Sequence, residues 1–243
     1  MDFALRKDNA LEQIHWATTR RRKHDRLLAF AFDHRSQFVD MAQANGKSEA
    51  DIDHFKMIAL GAATRSSDRH QGVGLLVDDR LGRTALHAAS DHDLWIGRPI
   101  EQSGVFPLAF EDGPDLGSRL AEWPANHCVK VLAPVRTDDQ PDVIAYHEAE
   151  IVRLADACRQ TGHELLFEII TGNRDKSAVP SQVLALMQRF YDLGVAPDWW
   201  KLEPVDDGGF WTGAGDIVRA NDPHVQGIIV LGKEMPDEQL GRV

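Results

Sequence analysis

The run Asp198-Trp199-Trp200-Lys201-Leu202-Glu203-Pro204 places a lysine inside an apolar, strand-like stretch, with a carboxylate two residues further on. Side chains alternate between the faces of a strand, so Trp199, Lys201 and Glu203 share one face and Trp200 and Leu202 take the other. A lysine among indoles is desolvated. Desolvation disfavours the ammonium and frees the amine as a nucleophile for carbonyls. A buried Lys–Glu ion pair that only holds structure fits the same residues. The stretch by itself leaves both readings open.

Charged residues close other apolar runs in the same way. Asp33, His34 and Arg35 follow Leu27–Phe32, and Asp78, Asp79 and Arg80 follow Gly72–Val77. Arg98 and Glu101 come after Leu94-Trp95-Ile96, Lys130 lies in Cys128–Leu132, and Glu168 lies in Leu165–Ile170. Buried charges are costly unless paired or used, so this collection reads as one site at one rim. Two lysines and a carboxylate beside an apolar cavity suit Schiff-base chemistry: one amine attacks a ketone, the second charge depresses the first amine's pKa, and a carboxylate moves protons. The iminium then acts as an electron sink for carbon–carbon cleavage. Arginines favour phosphate or carboxylate on the substrate. Individually, Asp33 and Asp78 also suit helix caps, and His34 a satisfied loop histidine. Metal catalysis is the competing chemistry. Among the 11 histidines there is no His-x-His or His-x-x-x-His pair, and the tight cluster Asp91-His92-Asp93 precedes a strand, away from the rim.

The elements that must position these groups alternate. Continuous apolar runs suit strands buried on both faces. Seven are expected: the five above, Trp199–Leu202, and Ile228–Leu231. Between them, helices are expected over Ser36–Asn45, through Ile52, Phe55, Ala59 and Ala62 to about Arg65, over Glu148–Gln160 with Gly162 as a stop, and over Ser181–Leu193. Residues 102–126 read as a long excursion, Gly208–Gly215 as a flexible glycine-rich segment, and Pro236 to Val243 as the start of another helix. Strand–helix alternation implies a parallel α/β sheet, and charged residues at strand C-terminal ends point to a (β/α)8 TIM barrel, apparently lacking or truncated before its eighth strand. A doubly wound open sheet is the alternative, but Gly72-Val73-Gly74 lacks the third glycine of its fingerprint and opens a strand. Residues 1–26, with Arg20-Arg21-Arg22-Lys23, read as a solvated N-terminal arm, and 27–243 as one barrel domain.

The totals agree. The chain has 243 residues, close to the roughly 250 of such a barrel, and 43% hydrophobic and 27% charged residues are ordinary for a globular protein. A net charge of −11 argues against nucleic acid and anionic membranes as partners. Cys128 and Cys158 make neither a disulfide framework nor a zinc site, and neither a membrane span nor a signal-peptide core is visible, so a cytoplasmic setting is expected.

Several runs together resemble the class I tagatose-1,6-bisphosphate aldolase family. They are Leu28-Ala-Phe-Ala-Phe-Asp33-His34-Arg35, Leu75-Leu-Val-Asp78-Asp79-Arg80-Leu-Gly82, Val129-Lys130-Val-Leu, Leu166-Phe-Glu168-Ile and Trp200-Lys201-Leu-Glu203-Pro. The similarity is greater still to the aldolase-type domain fused behind a PfkB-type sugar kinase in bacterial myo-inositol catabolism, which His15-Trp16-Ala17-Thr18-Thr19-Arg20-Arg21, Trp95-Ile-Gly-Arg98-Pro-Ile-Glu101 and Gly113-Pro-Asp-Leu-Gly-Ser also resemble. The resemblance implies Lys201 as the Schiff-base lysine, Lys130 as its assistant, Glu168 as the proton-transfer carboxylate and Asp33 as an orienting group. His34, Arg35, Asp78, Arg80, Arg98 and Glu203 are the expected substrate contacts. The implied reaction cleaves 6-phospho-5-dehydro-2-deoxygluconate to dihydroxyacetone phosphate and malonate semialdehyde, without metal or other cofactor. A homo-oligomer and a fused or partnered sugar kinase are the protein partners it admits.

Two departures stand out. Leu231-Gly232-Lys233-Glu234 replaces the family's Ser-Ala-Gly-type turn, with Lys233 a substitute phosphate contact, and the family's eighth strand with its Gly-Arg phosphate loop has no counterpart before Val243. The alternatives are a related phosphosugar barrel enzyme, such as an isomerase or metal-dependent aldolase, or a non-catalytic sugar-phosphate-binding domain.

Overall fold

The computed structural model describes residue 18 and residues 24–111, 113–135, 139–171 and 179–232. The expected helix from Pro236, Lys233, and nearly all of the N-terminal arm lie outside the described residues.

The strands are β1 Leu28–Ala31, β2 Val73–Leu76, β3 Trp95–Pro99, β4 His127–Ala133, β5 Leu165–Ile169, β6 Trp199–Leu202 and β7 Gly227–Val230. They form one seven-stranded sheet in the order β1-β2-β3-β4-β5-β6-β7, every neighbouring pair parallel. The helices are α1 Ser36–Ala44, α2 Glu49–Ser67, α3 Arg83–Ala89, α4 Leu116–Leu120, α5 Pro141–Thr161, α6 Val179–Asp192 and α7 Gly208–Asn221. The result is a curled, TIM-like half-barrel of parallel strands alternating with helices. Its curl shows in the packing. Leu76, Trp95, Cys128, Leu166 and Trp199 form a cluster of strand residues, and Leu27 and Ala29 at one end of the sheet and Ile229 at the other both pack on it. This cluster fills the concave face.

The convex face carries most of the apolar burial. Val129, Val131, Ala133, Phe167, Trp200 and Leu202 point there and meet Ile151, Leu154, Val183, Met187, Phe190 and Phe210 of α5, α6 and α7. Trp200 and Phe167 stack at 5.3 Å between centroids. Trp199 and Trp200 therefore lie on opposite faces, as alternation requires.

Two helices differ from expectation for identifiable reasons. Helix α5 begins at Pro141 instead of Glu148. Proline at the first helical position has its φ preset and no N–H to satisfy, which makes it a starting signal. At the other end Gly162 stops the helix at φ 81°, a left-handed conformation suited to glycine. The glycine-rich segment 208–215 is not a flexible loop but the first half of α7. Asp207 caps it by accepting the Gly209 N–H at 2.8 Å, and Phe210, Ala214 and Val218 form a four-residue-spaced buried stripe. Tertiary burial of that stripe overrides the glycines' poor helix propensity. A Cβ at Gly208 would meet nothing within 4 Å. Gly208→Ala is therefore expected to stabilise the fold by about 0.4–1 kcal/mol, read as a raised denaturant midpoint.

Candidate functional site

The concave face changes character along its strands. Below, it is apolar and closed by Glu164, whose carboxylate accepts from Trp95 Nε1 (3.3 Å), Trp199 Nε1 (3.0 Å) and Gln226 Nε2 (3.1 Å). Above, toward the strands' C-terminal ends, it is ionic. Lys130 shares its face with Cys128, Glu168 with Leu166, and Lys201 with Trp199. In register, Glu168 lies directly opposite Lys201. Lys130 aligns with Leu166, one inward step lower, and its long stem lifts the ammonium to the carboxylate level.

Glu168 Oε2 lies 3.1 Å from Lys201 Nζ and 3.1 Å from Lys130 Nζ. Lys130 Nζ also meets Asp33 Oδ2 at 3.2 Å and Glu101 Oε1 at 3.1 Å. Glu101 is itself held. Its Oε2 accepts the Leu132 N–H, and Arg35 donates to its Oε1 (2.8 Å) and to its backbone carbonyl (2.7 Å). Arg35 Nη1 reaches Glu111 Oε1 as well, at 2.8 Å. The site is thus a chain of charges, Lys201–Glu168–Lys130–Glu101–Arg35–Glu111, with Asp33 joining at Lys130. Lys201 is 8% exposed and Lys130 4%, so both lysines are buried, and the more open end of the network is Glu111, whose side chain is 19% exposed.

The electrostatics follow from these contacts. Burial pushes the Asp33 carboxyl up, but Lys130, Lys201 and His34 outweigh it and hold the group well below the usual carboxylate range. Burial also disfavours the Lys130 ammonium, yet Asp33, Glu101 and Glu168 together hold its pKa well above the usual lysine value. Lys130 is a fixed positive charge. Glu111 is raised, by burial first and by Asp79 and Asp78, against the opposing pull of Arg35.

Of the residues expected from sequence, Asp33, Arg35, Lys130, Glu168 and Lys201 meet here. Glu203 is buried just past β6, on the Lys201 face by alternation. The others go elsewhere. His34 is exposed and packs edge-on against Phe38. Asp78 is buried against Lys56 of α2 and accepts the Leu81 N–H at 2.7 Å, which is a structural pairing. Arg98 shares the convex face with Ile96 and Ile100; it lies 3.7 Å above the Trp123 ring and pairs with Asp79 at 2.7 Å. Arg80 is exposed, with Glu49 at 3.9 Å. Glu101, which the sequence reading placed at the rim without a specific role, also joins the network beside Lys130. The sequence reading passed over Lys56, whose spacing of four from Ile52 marks it as buried, and Glu111, for which no local signal exists. Among the described residues no three His, Cys, Asp or Glu side chains are grouped to hold a metal ion, and no helix is long and apolar enough to cross a membrane.

Fold and site together define a parallel α/β half-barrel with a buried lysine–carboxylate network at the C-terminal ends of its strands. The chain belongs to a family described as "Uncharacterized protein conserved in bacteria (DUF2090)", whose model matches residues 1–243. Comparison with curated proteins finds no match.

Removing one partner of a buried ionic network leaves uncompensated charge, so Lys130→Met is expected to cost about 3–5 kcal/mol at pH 7 by denaturant unfolding. The Asp33 contribution in the native protein is present above its ordinary pKa of 3.8 and is lost as pH falls below it. That contribution is still present at pH 4, so the deficit of the variant relative to the native protein is expected to shrink toward pH 4 for a different reason: carboxylates left buried without their lysine have raised pKa values and take up protons there.

Proposed function

We propose that this protein is a class I aldolase that cleaves a phosphorylated keto sugar acid, with 6-phospho-5-dehydro-2-deoxygluconate as the substrate. The supporting observation is one carboxylate oxygen, on Glu168, lying 3.1 Å from each of two lysine ammonium groups on the concave face. Lys201 is the nucleophile. Its amine adds to the substrate ketone, water leaves, and an iminium forms. The substrate hydroxyl beyond the scissile bond gives up its proton. The carbon–carbon bond then breaks into the iminium, releasing malonate semialdehyde. Protonation of the enamine and hydrolysis return the amine and dihydroxyacetone phosphate.

Glu168 is placed to take the first proton from Lys201 and to exchange protons with the substrate. Lys130, held charged by its carboxylates, favours negative charge developing on substrate oxygens. Asp33 and Arg35 fix its surroundings. A (β/α)8-type barrel lacking its eighth strand, a cytoplasmic setting, a homo-oligomer and a kinase partner belong to the same proposal.

A second reading has one observation in its favour: Lys130 is fully compensated without any substrate, as in a structural ion-pair network. On that reading the face binds a sugar phosphate without turnover. Borohydride reduction in the presence of dihydroxyacetone phosphate separates the two. The aldolase is expected to give a reduced adduct on the peptide containing Lys201, absent in Lys201→Met; a folded protein that binds without forming any adduct supports the second. Glu168→Gln is expected to lower turnover by about 10²–10⁴-fold, as loss of a general acid–base does.

A further inference from the structure

An open pocket of about 440 Å³ lies at the C-terminal rim of β2 and β3, against the ionic network. Its lining includes Asp79, Arg80, Arg83, Gln102, Ser103 and Glu111. Glu111 is a shared wall, because its carboxylate also holds Arg35 of the network.

The pocket's charges do not cancel within it. Asp79 is neutralised from behind by Arg98 at 2.7 Å, and Glu111 by Arg35 at 2.8 Å. Arg119, also in the lining, pairs outward with Glu122 at 2.9 Å. Two guanidinium groups remain. The nearest carboxylate oxygen to Arg80 is that of Glu49, 3.9 Å away, with both side chains more than 60% exposed. Arg83 is exposed and makes no ion pair or hydrogen bond among the described residues. In a chain of net charge −11, a concavity presenting two uncompensated arginines is a local reversal of sign. Gln102 and Ser103 add uncharged polar groups beside them. Planar guanidinium forks match oxyanions, which they bind with two parallel N–H donors.

We infer that this pocket is an anion subsite, in which Arg80 and Arg83 hold a phosphate or carboxylate group of a small molecule at the mouth of the ionic network. Anion binding there stands on the pocket alone. Its assignment to a substrate tail rests on the proposed aldolase reading.

Arginine Nε–Hε NMR signals, titrated with inorganic phosphate and separately with malonate, test the inference. The expected result is saturable movement of the Arg80 and Arg83 signals with at least one probe. Affinity should fall about tenfold or more in the double variant Arg80→Gln, Arg83→Gln, since the charge-assisted bonds of both guanidinium groups are lost. Tighter binding of phosphate assigns the subsite to a phosphate group, and tighter binding of malonate to a carboxylate. Both substitutions are at exposed positions and are expected to leave the fold intact; a further double variant, Arg80→Lys, Arg83→Lys, keeps the charge and is expected to bind with intermediate affinity. No saturable movement with either probe, or unchanged affinity in the glutamine variant, overturns the inference. Borohydride trapping with uncharged dihydroxyacetone reads Lys201 separately, so failure of the subsite and failure of the aldolase reading are told apart.

Discussion

The Lys130 ammonium is the constraint on which the rest of the concave face depends. It lies within 3.2 Å of carboxylate oxygens from Asp33, Glu101 and Glu168. Burying an ion costs several kcal/mol even after relaxation, and only close, well-directed partners offset it. Those partners come from the ends of β1 and β3 and from β5, far apart in sequence. They converge because the parallel strands run in sequential order around a steady curl. Beneath them, Trp95, Trp199 and Leu166 fill the same face with apolar bulk, so water has little room to screen the charges from below. The apolar floor and the ionic layer therefore support each other: the floor sets the curvature, and the curvature brings the charges together.

The structure sorts the charged rim by face. On the concave side Lys201, Glu168, Lys130, Asp33, Glu101 and Arg35 form one connected network. On the other side Lys56 pairs with Asp78, and Arg98 with Asp79, tying the sheet to α2 and to the β2–α3 turn. Lys56 also donates to the His34 carbonyl at 3.2 Å, between Asp33 and Arg35. A pairing with no place in the proposed chemistry thereby anchors the loop that delivers two members of the network.

Much of this was readable beforehand. Each of the seven strands lies at an apolar run; β2 to β6 are buried on both faces, as such runs suggest, whereas β1 and β7, each paired on one side only, are partly exposed. The shared face of Trp199 and Lys201 follows from alternation alone. So does the convex position of Arg98: in the series Trp95, Gly97 inward and Ile96, Arg98, Ile100 outward, Arg98 and Glu101 have opposite parity and do not share a face. Reading both as rim residues overlooked that arithmetic. Lys56 was hidden by its type, since lysine at a buried helical position is rarely assigned to the core. Phe55, read as part of the buried stripe, is 44% exposed instead. Glu111 reaches Arg35 across 76 residues through an irregular segment, and no period or motif announces such a contact. Helix α7 was masked by its glycines, although Phe210, Ala214 and Val218 carry its stripe.

The central claim is electrostatic: Lys130 is a permanent cation fixed by three carboxylates, beside a second lysine that shares the Glu168 carboxylate. Lysine side-chain ¹⁵N NMR, with the Lys130 signal assigned by Lys130→Arg and followed toward alkaline pH while the protein stays folded, measures this directly. The account predicts that Lys130 shows no midpoint at or below the ordinary lysine value of 10.5. A midpoint below that value would contradict the network described here, and with it the role given to Lys130 beside Glu168.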